Sequence, residues 1–158
     1  MIDVEPHPLT HSWPLFDASA RMALADLAYS GTLAPDWSPN IKVASGVGLW
    51  SCDLADNSLT WSPAVYELFG IPSDEKLTRT LTVSCYSKAS REAMEGMRKH
   101  AIRHRRGFTM DALLRQPDGD KRWMRLSAMP IIVDRKVVRL CGIKQDVTTE
   151  YLDYGWQG

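Results

Sequence analysis

The chain has 158 residues, 19 Lys+Arg against 19 Asp+Glu, and 44% hydrophobic residues. That length and apolar fraction fit one globular domain with an extension and exclude a generally disordered chain. A formal net charge of zero argues against a dedicated nucleic-acid binder. Residues 1–12, rich in Pro and His and without periodicity, read as a flexible tail. From Trp13 to Ser30, Phe16, Ala20, Ala23, Leu24 and Leu27 recur at helical spacing, with Ser12 or Asp17 placed to cap the start and Gly31 the end. Pro35, Ser38, Pro39 and Asn40 mark a linker, so residues 13–45 form an amphipathic helix and a connection.

The texture changes at Gly46. Gly48–Leu54 and Ser58–Trp61 read as strands joined by Ala55-Asp56-Asn57. Ser62-Pro63 opens a short helix through Phe69, with Ser as cap and Pro as first helical residue, and Gly70 ends it. Residues 72–80 read as a polar loop. Ser87 to Arg106 has no Pro and carries Ser90, Met94, Met97 and Ala101 on one stripe, which predicts a long helix closed by Gly107. Three strands follow. Phe108–Arg115 turns at Gln116-Pro117-Asp118-Gly119 into Lys121–Val133, and Asp134-Arg135-Lys136 turns into Val137–Val147. The order predicts an α+β fold with one antiparallel sheet and helices on one face.

The zero net charge is a cancellation. Residues 1–80 carry 10 acidic and 4 basic side chains, and the remainder 9 acidic and 15 basic. That polarity predicts contacts with an acidic partner, or head to tail, that salt weakens. Cys52, Cys85 and Cys141 form no disulfide framework and no zinc pattern, so buried reduced thiols are expected. The acidic start Met1-Ile2-Asp3-Val4-Glu5 lacks the basic segment of a signal peptide, and no apolar run spans a bilayer. A cytoplasmic protein without a membrane partner is expected.

Gly46-Val47-Gly48-Leu49-Trp50-Ser51-Cys52-Asp53-Leu54, then Leu59-Thr60-Trp61-Ser62, then Tyr66-Glu67-Leu68-Phe69-Gly70 resembles the opening of a PAS domain. Pro117-Asp118-Gly119-Asp120-Lys121-Arg122-Trp123 is similar to that family's Asp-Gly hairpin followed by Arg-Trp. The run from Gly142-Ile143 to Asp146-Val147-Thr148 resembles its terminal strand and closing Asp-hydrophobic-Thr motif. The resemblance covers about residues 46–149 and is closest to the subtype of bacterial sensor kinases and diguanylate cyclases. It implies a five-stranded antiparallel sheet with helices packed across one face. It also implies a cleft that holds a ligand in some members, an outer sheet face that often dimerises, and a signal passed through Asp146, Val147 and Thr148. One departure stands out: Ser87-Lys88-Ala89-Ser90-Arg91 replaces the family's His-Pro-x-Asp-Arg, which leaves the cap of the long helix open.

Light-sensing relatives need a reactive Cys in an Asn-Cys-Arg-Phe-Leu-Gln stretch, an Asn after the Trp of the second long strand, and a Gln in the last strand. Here Cys85 has other neighbours, and the matching positions hold Met124 and Lys144, with Gln145 on the opposite sheet face. These departures argue against flavin. Haem would need an axial His, and His104 on the long helix aligns best with the family's ligand position. Arg98, Lys99, Arg103, Arg105 and Arg106 surround it, and a surface histidine near a basic helix end explains the same pattern. The expectation is no cofactor, with haem on His104 as the alternative. No metal cluster and no catalytic constellation stand out, so no enzyme is expected. Trp50, Trp61, Tyr66, Phe69, Met94, Met97, Met110, Trp123 and Ile143 are the candidate lining of a cleft for a small apolar ligand, or simply core.

After Thr148 the chain runs Thr149-Glu150-Tyr151-Leu152-Asp153-Tyr154 and ends at Gly158, so residues 150–158 read as a tail with no output domain. The leading expectation is therefore a single-domain PAS signalling protein that works by contact. It would form a homodimer and regulate a partner such as a histidine kinase or a cyclic-dinucleotide enzyme. Phe16, Leu24 and Leu27 of the first helix, and Val138 and Leu140 of the last strand, are the interface candidates. The alternatives are a ligand- or haem-binding sensor, or the N-terminal sensor part of a histidine kinase or diguanylate cyclase.

Overall fold

The computed structural model describes residues 11–12 and 47–153. Strands β1 (His11–Ser12), β2 (Val47–Asp53), β3 (Ser58–Trp61), β4 (Phe108–Arg115), β5 (Lys121–Val133) and β6 (Lys136–Asp146) form one sheet. Their order is β1-β4-β5-β6-β2-β3, and every pairing is antiparallel. The five long strands are those expected from the sequence. The two-residue β1, from the segment read as a tail, pairs with β4 through His11–Met110 and Ser12–Thr109.

Helices α1 (Pro63–Phe69), α2 (Arg79–Ser84) and α3 (Lys88–His104) carry the chain from the β3 edge to β4 across one face of the sheet. Pro63 opens α1 as expected, but Ser62 does not cap it. Its hydroxyl accepts the Leu49 N–H at 2.8 Å instead, which ties α1 to β2. The same joint needs Gly48, because a Cβ there would meet Val65 Cγ2 at 2.4 Å. Gly70, at φ 68°, ends α1 in the left-handed region, and the Gln116 amide donates to the Glu67 and Leu68 carbonyls. Helix α2 lies partly in the stretch read as a loop. At six residues it is too short to show periodicity, and its start depends on the Thr78 hydroxyl accepting the Leu81 N–H.

The departure at Ser87–Arg91 is resolved by two hydroxyls. Ser87 caps α3 at the Ser90 N–H, and the Ser90 hydroxyl accepts the Leu113 N–H at 2.8 Å, joining α3 to β4. Helix α3 buries Met94, Met97 and Ala101, the expected stripe. It stops at Arg105 in the left-handed region (φ 54°), earlier than the expected closure at Gly107.

Strand alternation makes two apolar layers. Under the helices lie Trp50, Cys52, Met110, Met124, Leu126 and Leu140 with Phe69 and Met97. On the other face Leu49, Cys141 and Ile143 form a smaller buried cluster. The three cysteines are buried free thiols, and burial raises each of them above its ordinary value. No helix among the described residues is long and apolar enough to cross a membrane.

Candidate functional site

Between α2, α3 and the sheet lies a narrow cleft, with about 500 Å³ of empty space when the open solvent at its mouth is counted. Its floor comes from Trp50 and Cys52 of β2, Leu126 of β5, and Leu140 and Lys144 of β6. Its roof comes from Arg79, Thr82 and Val83 of α2, Tyr86, and Met94 and Arg98 of α3. Gly142 shapes the floor. It lies between Leu140 and Lys144 on the same face, where a Cβ would stand 1.9 Å from the Ser127 carbonyl oxygen. With no side chain there, the Trp50 indole N–H reaches past β6 and donates to that carbonyl at 3.2 Å.

Lys144 is the unusual residue of the floor. It is 7% exposed, and no carboxylate pairs with it among the described residues. Its Nζ lies 5.1 Å from the Trp50 ring, 5.4 Å from Trp61 and 4.8 Å from Phe69. Ring faces attract a cation, but they replace only part of its lost hydration. Burial therefore pulls its pKa down to about 7, with Arg79 adding to the fall and the Cys52 and Cys85 thiols opposing it. The other cleft cations are engaged. Arg79 pairs with Glu95, and Arg98 donates to the Asn57 side-chain oxygen at 2.9 Å. Burial also raises the Tyr86 hydroxyl, helped by the nearby Glu95 carboxylate.

The candidates read from sequence divide into groups. Trp50 and Met94 line the cleft. Trp61 and Phe69 stack beside it, 4.5 Å apart, within reach of Lys144, and the Tyr66 ring meets Trp61 edge-on at 5.3 Å. Met97 and Met110 are buried in the same layer without lining the cleft. Trp123 and Ile143 are elsewhere. Their inward neighbours are Met124 and Lys144, so alternation points Trp123 and Ile143 to the opposite face. His104, the haem candidate, is exposed at the end of α3 with its ring 4.3 Å from His100, and α3 sends only Met94 and Arg98 to the cleft. Of the interface candidates, Leu140 is 2% exposed and faces the cleft rather than an outer surface, while Val138 is half-buried. Phe16, Leu24 and Leu27 lie outside the described residues.

Lys144 was legible only as a replaced glutamine. The stronger signal is its parity with Leu140 and Gly142, both inward-facing. The groups at the two flavin-aligned positions, a buried Met124 thioether and the Lys144 ammonium, lack the amides that the light-sensing relatives use. Cys85 donates to the Leu81 carbonyl and does not line the cleft. These residues do not fit a flavin held in that manner.

On the opposite face a second site joins the chain end to the sheet. Asp146 accepts from the Thr148 N–H at 2.9 Å and pairs with Arg122 at 3.4 Å. The Thr148 hydroxyl accepts the Trp123 N–H at 2.9 Å, and the Val147 N–H donates to the Trp123 carbonyl at 2.8 Å. These bonds place helix α4 (Thr148–Asp153), where a tail was expected, against β5. Tyr151 stacks on Trp123 at 4.2 Å and donates to Asp111. Arg125 grips Asp111 with two bonds of 2.9 and 3.1 Å and reaches Glu150 at 3.1 Å. The Asp111 hydrogen bonds raise Arg125 further above its ordinary value. Burial and the Asp111 hydrogen bond together raise the Tyr151 hydroxyl.

A sheet with helices on one face, a cleft beneath them and a terminal Asp-Val-Thr joint define a sensory domain of the PAS type. The family model described as the PAS fold matches residues 58–144, more than half of the chain, and the chain belongs to that family. A probable diguanylate cyclase of Escherichia coli, DgcE, is 26% identical over 105 residues, which is 66% of this chain and 10% of that protein. The chain thus spans about a tenth of that relative's length. A sensory box histidine kinase/response regulator from Burkholderia thailandensis is 21% identical, with a TM-score of 0.61 over 83% of this chain and 89% of that one. The N-terminal domain of a diguanylate cyclase with PAS/PAC sensor from Marinobacter aquaeolei is 16% identical, with a TM-score of 0.62 over 66% and 98%. Light-oxygen-voltage domains share the same fold. The chain thus resembles sensor domains of diguanylate cyclases and histidine kinases.

Proposed function

We propose that this chain is a sensory PAS module of bacterial signal transduction, which passes the state of its cleft to a signalling enzyme such as a histidine kinase or a cyclic-dinucleotide enzyme. One observation carries the reading: the same three strands serve both sites. Phe108 of β4, Leu126 of β5, and Leu140 and Lys144 of β6 wall the cleft. From their other faces Asp111, Trp123 and Arg125 hold α4, while Asp146 closes β6 against Thr148. A packed sheet transmits a shift at one face to the other. An occupant that moves β5 or β6 therefore shifts the footing of α4.

In this reading the module works by binding rather than catalysis, in the cytoplasm, as a homodimer. The likeness to a short stretch of a much longer cyclase supports a place beside, or within, a larger signalling enzyme.

The test is enzyme output. Diguanylate cyclases and histidine kinases from the same organism are assayed with the purified chain and with its Asp111→Asn variant. At least one should change rate twofold or more with the wild-type chain, and the variant should lose most of that effect. Unmoved rates across the whole panel refute the relay. A chain that elutes as a monomer at all concentrations removes the homodimer from it.

A further inference from the structure

A buried ammonium group is stable only with an anion, with several acceptors, or without its proton. Lys144 has no carboxylate partner among the described residues, yet it sits on the floor of a mainly apolar cleft that opens to solvent. The titratable and charged groups facing it are Cys52 from β2, Arg79 and the adjacent Cys85 and Tyr86 from α2 and its end, and Arg98 from α3. None of these is a carboxylate. Glu95 on α3 is taken by Arg79. The cleft thus presents cations and hydroxyls among apolar walls, with one ammonium that has no counterion among the described residues.

We propose that the cleft takes a small organic carboxylate with a flat apolar body, its carboxylate on Lys144 Nζ and its body against the Trp50 indole and the Met94 side chain. The proposal rests on the reading of the cleft as the sensory input. A single ammonium matches a single negative charge, and the apolar walls favour a body that gains by leaving water. A multiply charged, strongly hydrated anion such as inorganic phosphate gains nothing from those walls and would leave charge uncompensated. The binding step is non-covalent. Above pH 7 the amine takes one proton from solvent as the carboxylate arrives, so the ion pair forms inside the cleft.

The experiment is calorimetry on the full chain at pH 7.5. Benzoate, 3-phenylpropionate and indole-3-acetate are each compared with their neutral amides and with inorganic phosphate, in two buffers of different ionisation enthalpy. At least one acid should bind tenfold or more tighter than its amide and than phosphate, with net proton uptake. Lys144→Met should abolish both the preference and the proton uptake, while Lys144→Arg keeps the preference and loses the uptake. Acids and amides binding equally would overturn the carboxylate proposal and leave the cleft as a sensory site. Phosphate binding as well as the acids would also overturn it, in favour of a general anion site. Failure of every acid and amide to bind would overturn the proposal and remove the cleft as the input. The relay to a partner is read independently by the enzyme assay.

Discussion

Replacing Lys144 by Met should make the protein more stable and should make that gain depend on pH. The ordinary lysine value of 10.5 falls to about 7 in the fold, chiefly by burial. The unfolded chain therefore holds more protons than the native chain between those two values. Stability rises with pH across that window, and the full cost of burying the charge is felt below pH 7. At about 1.36 kcal/mol per tenfold change in proton affinity, the ceiling on that cost is roughly 5 kcal/mol. Removing a buried charge in favour of an apolar side chain of similar volume commonly returns about 1–4 kcal/mol, and a gain of about 2–4 kcal/mol is expected at pH 6. The gain should shrink steadily and nearly vanish by pH 10.5. Buried thiols, with values raised by burial, lose stability at high pH in both proteins; Cys141 cancels in the difference, whereas Lys144 pulls Cys52 and Cys85 down, so those two cancel only in part. Urea denaturation of wild type and variant at pH 6, 8 and 10 measures the difference directly. Equal stabilities at pH 6, or a gain that does not change with pH, would refute the assignment of Lys144 as a buried, uncompensated amine.

Asp111→Asn should loosen α4, because one carboxylate accepts from both Arg125 and Tyr151. Hydrogen exchange at residues 150–153 should speed up at least tenfold while that of β2 stays unchanged, and unchanged exchange at both would dismiss the clasp. Gly142→Ala should cost about 2–3 kcal/mol in urea, since the new methyl would stand against the Ser127 carbonyl and displace the Trp50 bond; a loss below about 0.5 kcal/mol would contradict that geometry. Gln116→Ala should cost about 1 kcal/mol by freeing the Glu67 and Leu68 carbonyls at the end of α1. His104→Ala should alter stability by less than about 0.5 kcal/mol, because the ring is at the surface and away from the cleft. A changed affinity for the carboxylates in that variant would reopen His104 as a site residue.

Much of the architecture was written in local pattern. Asp-Gly and Asp-Arg turn pairs, alternating strands and the Met94–Met97–Ala101 stripe need only nearest neighbours along the chain, and they placed the five long strands and α3. The motif order added the family. What local pattern did not carry was the depth of each residue. Ser62, read as a cap, spends its hydroxyl on Leu49 thirteen residues back, because β2 passes beside it only in the folded sheet. Trp123 and Ile143 read as cleft residues, yet one step of strand alternation sends them to the opposite face, and the same step brings Lys144 in. His104 was the alternative haem ligand by its alignment with the family, and its ring lies at the surface where the helix ends, away from the cleft lining. The sequence by itself determined which segments are strands and helices, since backbone preference and hydrophobic period are local. Only the tertiary structure decided that a lysine lies among three aromatic rings with no counterion among the described residues, because burial is set by what the rest of the chain brings to a position.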